Sequence, residues 1–254
     1  MRLHKLNKLK KLKANRFGRD FIVGDLHGCY YELIELLNDV DFDFDTDRLF
    51  SVGDLIDRGP ESIKCLSLLN EPYFFSVRGN HEDIFCQMVK ADFKNFTLDQ
   101  YWNVQNGGAW SKPYFESDSE DLTYWYNRLA RLPMVIEVEG YKTQNPFWIV
   151  HAELWSRDYG LSPDNLHTFL TNATTNDVAA LLWSRRFYKK DKVKSNINFP
   201  GPIYCGHTPV DAPFIHNGHI NLDGGAGKSS EDKHAVSKLV LFCHTTGKSY
   251  TKHL

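Results

Sequence analysis

Three short apolar segments near the start of the chain each end in a glycine that is followed at once by side chains able to bind metals. The three motifs are Gly24-Asp25-Leu26-His27-Gly28, Gly53-Asp54-Leu55-Ile56-Asp57-Arg58-Gly59 and Arg78-Gly79-Asn80-His81-Glu82. Leucine and isoleucine recur at helical spacing between the segments, which predicts the order β-α-β-α-β-α. Strands connected in this way are parallel, and their carboxyl ends meet at one edge of a sheet where ligands bind.

The predicted elements of the first half are short strands separated by helices. The strands are expected at residues 21–23, 48–52 and 73–77, and the helices at residues 30–38, 61–70 and 81–90. A middle segment, residues 91–132, is helical in tendency and has a break at Gly107-Gly108. Its tryptophans, together with Trp155, are expected to pack inside the protein rather than to stack on nucleic-acid bases.

The second half is predicted to be richer in strands. These are expected at residues 134–138, 147–150, 203–205, 214–216, 219–222 and 236–242, with one helix at residues 177–183. Asn217-Gly218 predicts a tight hairpin turn between two of the strands. The chain is therefore expected to be α/β in its first half and α+β in its second.

Charge divides the chain into a basic arm and an acidic remainder. Eight of the 30 lysines and arginines precede Asp20, and no acid does. Residues 1–19 are therefore predicted to be either a frayed terminus or an arm that docks on an acidic partner or surface. Residues 20–254 contain no linker and no internal repeat, and they are expected to form a single domain.

Composition excludes several classes of protein. Apolar residues make up 42% and charged residues 24% of the 254 residues, as in an ordinary globular protein. A net charge of −2 argues against nucleic-acid binding through a basic body, and no apolar run reaches the ~18 residues of a membrane span. The five scattered cysteines form no CxxC pair, which favours a reducing compartment and predicts a cytoplasmic location.

The side chains after the three strand ends form a mixed set of oxygen and nitrogen ligands. Asp25 and Asp54 offer carboxylates, Asn80 an amide oxygen, and His27 and His81 imidazoles. This mixture suits a divalent transition metal. Each motif alone is ordinary loop chemistry, but three in order, each directly after an apolar strand, favour a built site.

Two later histidines occupy equivalent positions. His151 follows the strand predicted at residues 147–150, and His207 follows the one at residues 203–205. Beside a metal site they could complete a second metal position. The remaining histidines, His219 and His244 among them, are expected at the surface or in hairpins.

Together these motifs resemble those of the phosphoprotein phosphatase family of calcineurin-like metallophosphoesterases. The resemblance extends over residues 20–243 and is strongest to the small serine/threonine phosphatases of bacteriophage lambda and bacteria. It also includes Trp183-Ser184-Arg185 and Gly206-His207-Thr208. It implies the family fold, which is a central sandwich of two mixed β-sheets flanked by helices.

The resemblance implies a dinuclear metal site with two divalent cations per chain. Manganese is the expected activator in vitro, with iron and zinc as alternatives. The expected ligands are Asp25 and His27 for the first ion, Asp54 as a bridge, and Asn80, His151 and His207 for the second ion. A hydroxide held between the ions is expected to attack phosphorus directly.

The resemblance also implies which residues carry the catalytic chemistry. His81 is expected to protonate the leaving oxygen, and Asp57 to orient its imidazole. Arg58 and Arg185 are expected to bind phosphate oxygens, together with Asn80, because a guanidinium group matches phosphate bidentately. Arg186 directly follows and could exchange roles with Arg185.

The predicted function is therefore a metal-dependent serine/threonine protein phosphatase that acts on phosphorylated proteins or peptides and could also accept phosphotyrosine. A first alternative is a symmetrical diadenosine tetraphosphate hydrolase of the same superfamily. Those hydrolases commonly have aspartate at the position of Glu82, which favours the phosphatase. An alternative of another class is a metal-binding adaptor without turnover, but such a protein would not require His81 as an acid.

Overall fold

The first half of the chain builds the sheet that carries the three strand-end motifs. The computed structural model describes residues 8–90, 97–103, 106–117, 119–156, 160–186, 197–227 and 237–254. Strands β2 (Asp20–Val23), β3 (Arg48–Ser51) and β4 (Phe74–Ser76) pair in parallel. Helices α1 (Tyr30–Asp39), α2 (Ser62–Ser67) and α3 (Asn80–Val89) follow them in turn. The predicted β-α-β-α-β-α order is confirmed.

The end of the chain completes this sheet. Strand β10 (Lys238–Cys243) pairs antiparallel with β2, and β11 (Lys248–His253) pairs antiparallel with β10. Among the described residues the sheet has the order β11-β10-β2-β3-β4. Strand β11 was not predicted, because its alternation of polar and half-buried residues contains few apolar side chains.

A second mixed sheet is built from the other half of the chain. Its strands are β1 (Leu9–Leu12), β5 (Val135–Val138), β6 (Phe147–Val150), β7 (Ile203–Cys205), β8 (Phe214–His216) and β9 (His219–Asn221), in the order β1-β5-β6-β7-β9-β8. Strands β5 and β6 are antiparallel, as are β8 and β9, and the other pairs are parallel. The predicted sandwich of two mixed sheets is thus confirmed over the described residues.

The two sheets pack face to face. Ile22, Phe50, Phe147 and Ile149 belong to the buried cluster between them, and the rings of Phe50 and Phe147 meet edge to face at 5.5 Å. Alternate residues of the same strands, such as Phe21, point instead toward the helices. Because both faces of these strands are covered, their sequences are continuously apolar rather than alternating.

Helices cover the outer face of each sheet. Helices α4 (Leu98–Trp102), α5 (Lys112–Glu116) and α6 (Glu120–Leu129), with a 3₁₀ turn at Gly108–Ser111, connect α3 to β5. On the other side, α7 (Pro163–Asn172) and α8 (Thr175–Trp183) pack against β6 and β7. Helix α7 was not predicted, although Ser162 and Pro163 are typical of a helix start. No helix in the described ranges is long and apolar enough to cross a membrane.

The described part of the basic arm contains a strand that was not predicted. Residues Leu9–Leu12 pair in parallel with β5 as strand β1, so this part is not frayed. Lys11 and Lys13 form ion pairs with Glu137 and Glu139 at the edge of the same sheet. Residues 1–7 lie outside the described range.

Candidate active site

The predicted ligands converge at one edge of the sandwich, where five strands end. Those from the first half follow β2, β3 and β4, and the two later histidines follow β6 and β7. All six are nearly inaccessible to solvent: Asp25, His27, Asp54, Asn80, His151 and His207. The edge-of-sheet argument from the sequence therefore holds in three dimensions.

Asp54 lies at the centre of the site. Its Oδ2 is 3.5 Å from Nε2 of His27, and its Oδ1 is 3.5 Å from Nε2 of His151. Two groups of ligand atoms close enough to hold a metal ion share this carboxylate, one with His27 and His81 and one with His151 and His207. A carboxylate common to both groups is the arrangement that a bridging ligand requires.

In the second group, imidazole nitrogens face an amide oxygen. Oδ1 of Asn80 lies 2.7 Å from Nε2 of His151 and 2.9 Å from Nδ1 of His207. The other ring nitrogen of His151 donates to the carbonyl of Val52 at 2.8 Å, which fixes the ring and turns the Nε2 lone pair inward. Burial lowers the pKa of both histidines, so they are neutral and able to bind a metal.

In the first group, His27 is oriented in the same way. Its Nδ1 donates to the carbonyl of Ile56 at 2.9 Å, and its Nε2 lies 4.0 Å from Oδ2 of Asp25. The backbone passes very close to Asp25, because a Cβ on Gly206 would lie 1.9 Å from Oδ1 of that carboxylate. A glycine is therefore required immediately before His207.

These residues fit two divalent cations. Burial, then repulsion from Asp223 and Asp54, raises the pKa of Asp25 well above its usual range. Two adjoining buried carboxylates require positive charge nearby, and cations provide it. Neutral imidazoles with inward lone pairs, carboxylates and one amide oxygen are the donor set expected for divalent transition metals.

His81 and Asp57 form a buried hydrogen-bonded pair beside this cluster. Nδ1 of His81 lies 2.7 Å from Oδ2 of Asp57. Burial lowers the pKa of His81, but Asp54 and Asp57 outweigh it and raise the pKa above its usual value. Nε2 faces the cluster, 3.9 Å from Oδ2 of Asp54. This arrangement would keep a proton available on Nε2.

Two arginines reach the same cluster. The guanidinium of Arg58 lies 2.6 Å from Nε2 of His27 and 3.1 Å from Nε2 of His81. Nε of Arg185 donates to Nε2 of His207 at 3.3 Å. Arg186 instead stacks its guanidinium on the ring of Trp155, 4.0 Å away. Of the two neighbouring arginines, Arg185 is therefore the one at the site.

Strained backbone accompanies the site residues. His27, Asp54, Asp57, Arg58 and His207 all have φ between 41° and 73°. Non-glycine residues rarely adopt this left-handed conformation, and it persists only where the surroundings hold it in place. The loops after the strands thus turn sharply enough to bring the side chains of separate strands together.

Sequence reasoning missed the residues that support the ligands. The carboxylate of Glu82 accepts hydrogen bonds from the backbone N–H groups of Asp54 (2.9 Å), Leu55 (2.8 Å) and Gly79 (2.7 Å). It ties the second and third motifs together. A glutamate three residues after a helix N-cap is a recognisable signal for the contact with Gly79, but not for the contacts across the sheet.

Two of the histidines expected at the surface or in hairpins are less exposed than predicted. His219 is in a hairpin, as predicted, but it is buried and accepts a hydrogen bond from the backbone of Leu154 at 3.0 Å. His244 is half-buried, and its Nδ1 lies 2.8 Å from the hydroxyl of Tyr204, which belongs to the core between the two sheets. Both hydrogen bonds join residues that are remote in sequence, so no local pattern predicts them.

Comparison with known proteins agrees with this geometry. The family model for calcineurin-like phosphoesterases matches residues 21–242. Serine/threonine-protein phosphatase 2 of Salmonella typhimurium is 35% identical over 224 residues, 85% of this chain and 91% of that protein. A symmetrical bis(5'-nucleosyl)-tetraphosphatase of Klebsiella pneumoniae is 29% identical and covers 76% of this chain and 71% of its own. A solved serine/threonine phosphatase of Saccharomyces cerevisiae has a TM-score of 0.63 at 13% identity, over 99% of this chain and 85% of its own.

Proposed function

Because the chain belongs to the calcineurin-like phosphoesterase family, we propose that it is a metal-dependent phosphatase of phosphoserine and phosphothreonine in proteins. The observation that carries this proposal is the His81–Asp57 pair, which faces two ligand groups joined by Asp54. A metal-binding adaptor would not need a buried acid beside its metals. The 35% identity to a bacterial serine/threonine phosphatase supports the choice of substrate.

We propose the same metal ligands that the family resemblance implies. Asp25 and His27 would hold one cation, Asp54 would be shared, and the second cation would be held by Asn80, His151 and His207. When bound, the cations supply positive charge to the phosphate and acidify water, so that a nucleophile is available near neutral pH. Manganese is the proposed activator in vitro, with iron and zinc as alternatives.

The chain's own residues bind the phosphate and move a proton. Arg58 and Arg185, at the rim of the cluster, would bind phosphate oxygens, with Asn80 beside them. His81 would donate the proton on Nε2 to the leaving oxygen, while Asp57 holds the imidazole by Nδ1. An alkoxide is a poor leaving group, so phosphoserine and phosphothreonine require this acid most.

We propose residues 20–254 as the catalytic domain, to which β1 adds an edge strand. A cytoplasmic location forms part of the proposal. All five cysteines are buried free thiols, as expected in a reducing compartment.

One comparison of substrates tests the proposed function. Phosphoserine, phosphothreonine and phosphotyrosine peptides and diadenosine tetraphosphate are supplied to the manganese-loaded enzyme, and kcat/KM is measured for each. Higher values for phosphoserine or phosphothreonine peptides support the proposal. A strong preference for diadenosine tetraphosphate would replace it with the tetraphosphatase activity that the name of the Klebsiella relative indicates. No turnover of any of them would favour the adaptor.

A further inference from the structure

The carboxylate of Asp57 has more partners than the histidine it orients. Its Oδ2 faces Nδ1 of His81, while its Oδ1 accepts hydrogen bonds from the hydroxyl of Tyr101 at 2.9 Å and from Nε1 of Trp110 at 2.6 Å. Asp57 is completely buried. A buried carboxylate is stable as an anion only when hydrogen bonds replace its water, and these two donors provide that replacement.

Both donors come from the middle segment, outside the two sheets. Tyr101 lies in α4 and is completely buried, and Trp110 lies in the 3₁₀ turn Gly108–Ser111. The indole of Trp110 stacks on Phe85 of α3, with ring centroids 5.8 Å apart and planes inclined by 12°. Packing therefore holds each donor in place independently of its hydrogen bond.

The same segment holds the backbone next to Asp57. The N–H of Arg58 donates to the carbonyl of Gly107 at 3.1 Å. Gly107 has φ of +73°, and a Cβ at this position would lie 2.2 Å from the nitrogen of Arg58. Asp57 and Arg58 both have left-handed backbone conformations, which neighbouring structure must hold.

We infer that Tyr101 and Trp110 are positioning residues for the acid step, which act on His81 through Asp57. This inference rests on the proposed function, in which His81 protonates the leaving oxygen. With Oδ1 held by two donors, the carboxylate plane is fixed and Oδ2 is directed at Nδ1 of His81. Losing one donor lets the carboxylate rotate and the imidazole tilt away from the leaving oxygen.

Two conservative substitutions remove the donors and keep the rings. Trp110→Phe keeps an aromatic ring beside Phe85 but lacks the N–H, and Tyr101→Phe lacks only the hydroxyl. Trp102→Phe is the matched control, because Nε1 of Trp102 donates to Ser111 at 3.2 Å in the same segment rather than to Asp57. Thermal unfolding of each variant separates folding effects from positioning.

The kinetic readout depends on the leaving group. Both donor variants should lower kcat for a phosphoserine peptide about 10-fold, a part of the ~10²–10⁴-fold that general acid catalysis supplies. They should lower kcat for p-nitrophenyl phosphate much less, because that leaving group departs with little protonation. KM should stay close to wild type for both substrates. Equal losses on the two substrates, or the same pattern in Trp102→Phe, would overturn the inference.

A second readout needs neither metal nor turnover. The NMR spectrum of the metal-free protein contains an indole N–H resonance for each tryptophan. The resonance that disappears in Trp110→Phe is assigned to Trp110, and the one that disappears in Trp102→Phe is assigned to Trp102. Asp57→Asn should shift the first resonance and leave the second in place. An unchanged Trp110 resonance would overturn the inference. A wild-type enzyme without phosphoserine turnover would instead contradict the proposed function, while this spectrum still tests the contact.

Discussion

At the scale of single residues, the chemistry of the site depends on which ring nitrogen of each histidine is hydrogen-bonded to the surrounding protein. His27 and His151 each donate one ring N–H to a backbone carbonyl, which turns the lone pair of the other ring nitrogen toward the cluster. His81 differs, because its Nδ1 is hydrogen-bonded to the carboxylate of Asp57 rather than to a backbone carbonyl. Its Nε2 nevertheless lies in one of the two groups of ligand atoms, so geometry alone allows it to be either an acid or a ligand.

His81→Asn distinguishes these two roles. If His81 donates a proton, the variant should keep both metals and lose turnover of phosphoserine by ~10²–10⁴-fold, or roughly 3–5 kcal/mol of barrier. The loss should be much smaller with p-nitrophenyl phosphate. The measurements are metal content by elemental analysis and kcat on both substrates. A metal lost from His81→Asn would show that His81 is a ligand.

At the scale of secondary-structure elements, both ends of the six-stranded sheet depend on contacts that a local pattern does not reveal. In the basic arm, leucine recurs every third residue, a spacing that places Leu9 and Leu12 on opposite faces of a strand. Leu9 accordingly packs in the core between this sheet and helices α7 and α8, and Leu12 packs in the core between the two sheets. At the other end, the β8–β9 hairpin inserts His219 into the interior.

Leu12→Ala should destabilise the protein more than removal of the charge on Lys13, the residue that directly follows β1. Leu12 is half-buried, so its truncation should cost about 1–2 kcal/mol of unfolding free energy. Lys13→Ala removes an exposed ion pair and should change it by less than about 0.5 kcal/mol. Urea unfolding measures both values. Equal effects would mean that charge rather than packing holds β1 in place.

The β8–β9 hairpin should make stability depend on pH. Burial lowers the pKa of His219 to about 4, against 6.5 in the unfolded chain. The unfolded state therefore binds more protons between these values, so this histidine's contribution is complete above pH 6.5 and is lost as the pH falls to about 4. The loss amounts to at most about 3 kcal/mol.

Urea unfolding of the wild type and of His219→Gln at several pH values measures the contribution of His219 to the free energy of unfolding. His219→Gln should lose less stability than the wild type between pH 7 and pH 4. His253→Gln, which changes an exposed histidine of β11, should follow the wild type. Parallel curves for the wild type and His219→Gln would contradict the expected titration.

At the scale of the whole molecule, the proposed metal ligands come from both sheets. Asp25 and Asp54 follow strands of one sheet, and His151 and His207 follow strands of the other. A cation bound by ligands of both sheets stabilises the folded state over the unfolded chain, which has no such site.

Manganese should therefore raise the thermal unfolding temperature and restore activity after chelation. A free metal concentration of 100 Kd contributes about 2.7 kcal/mol from one site. In Asp54→Asn both gains should shrink together, because the carboxylate common to both ligand groups loses its charge. Differential scanning calorimetry with and without EDTA checks this. A full stabilisation by manganese in Asp54→Asn would contradict a shared ligand.

The sequence by itself determined the chemistry at the strand ends. The glycines and the ligand residues Asp25, Asp54 and Asn80 lie directly after apolar strands, and parallel strands bring their carboxyl ends together whatever the loops contain. This argument is local in sequence and needs only the rule for parallel crossovers. It brought Asp25, His27, Asp54 and Asn80 to one edge of a sheet. His151 and His207 follow strands of the other sheet, so their convergence with these four depends on how the two sheets pack.

Only the tertiary structure decided which residues support that chemistry. Trp110 reaches Asp57 across 53 residues and Tyr101 across 44, and Arg185 rather than Arg186 faces the site. No periodicity encodes these contacts, because each depends on how a helix or turn of one layer packs against a loop of another. A hydrogen bond forms only where packing brings its donor and acceptor within about 3 Å, and that distance is set by the fold as a whole.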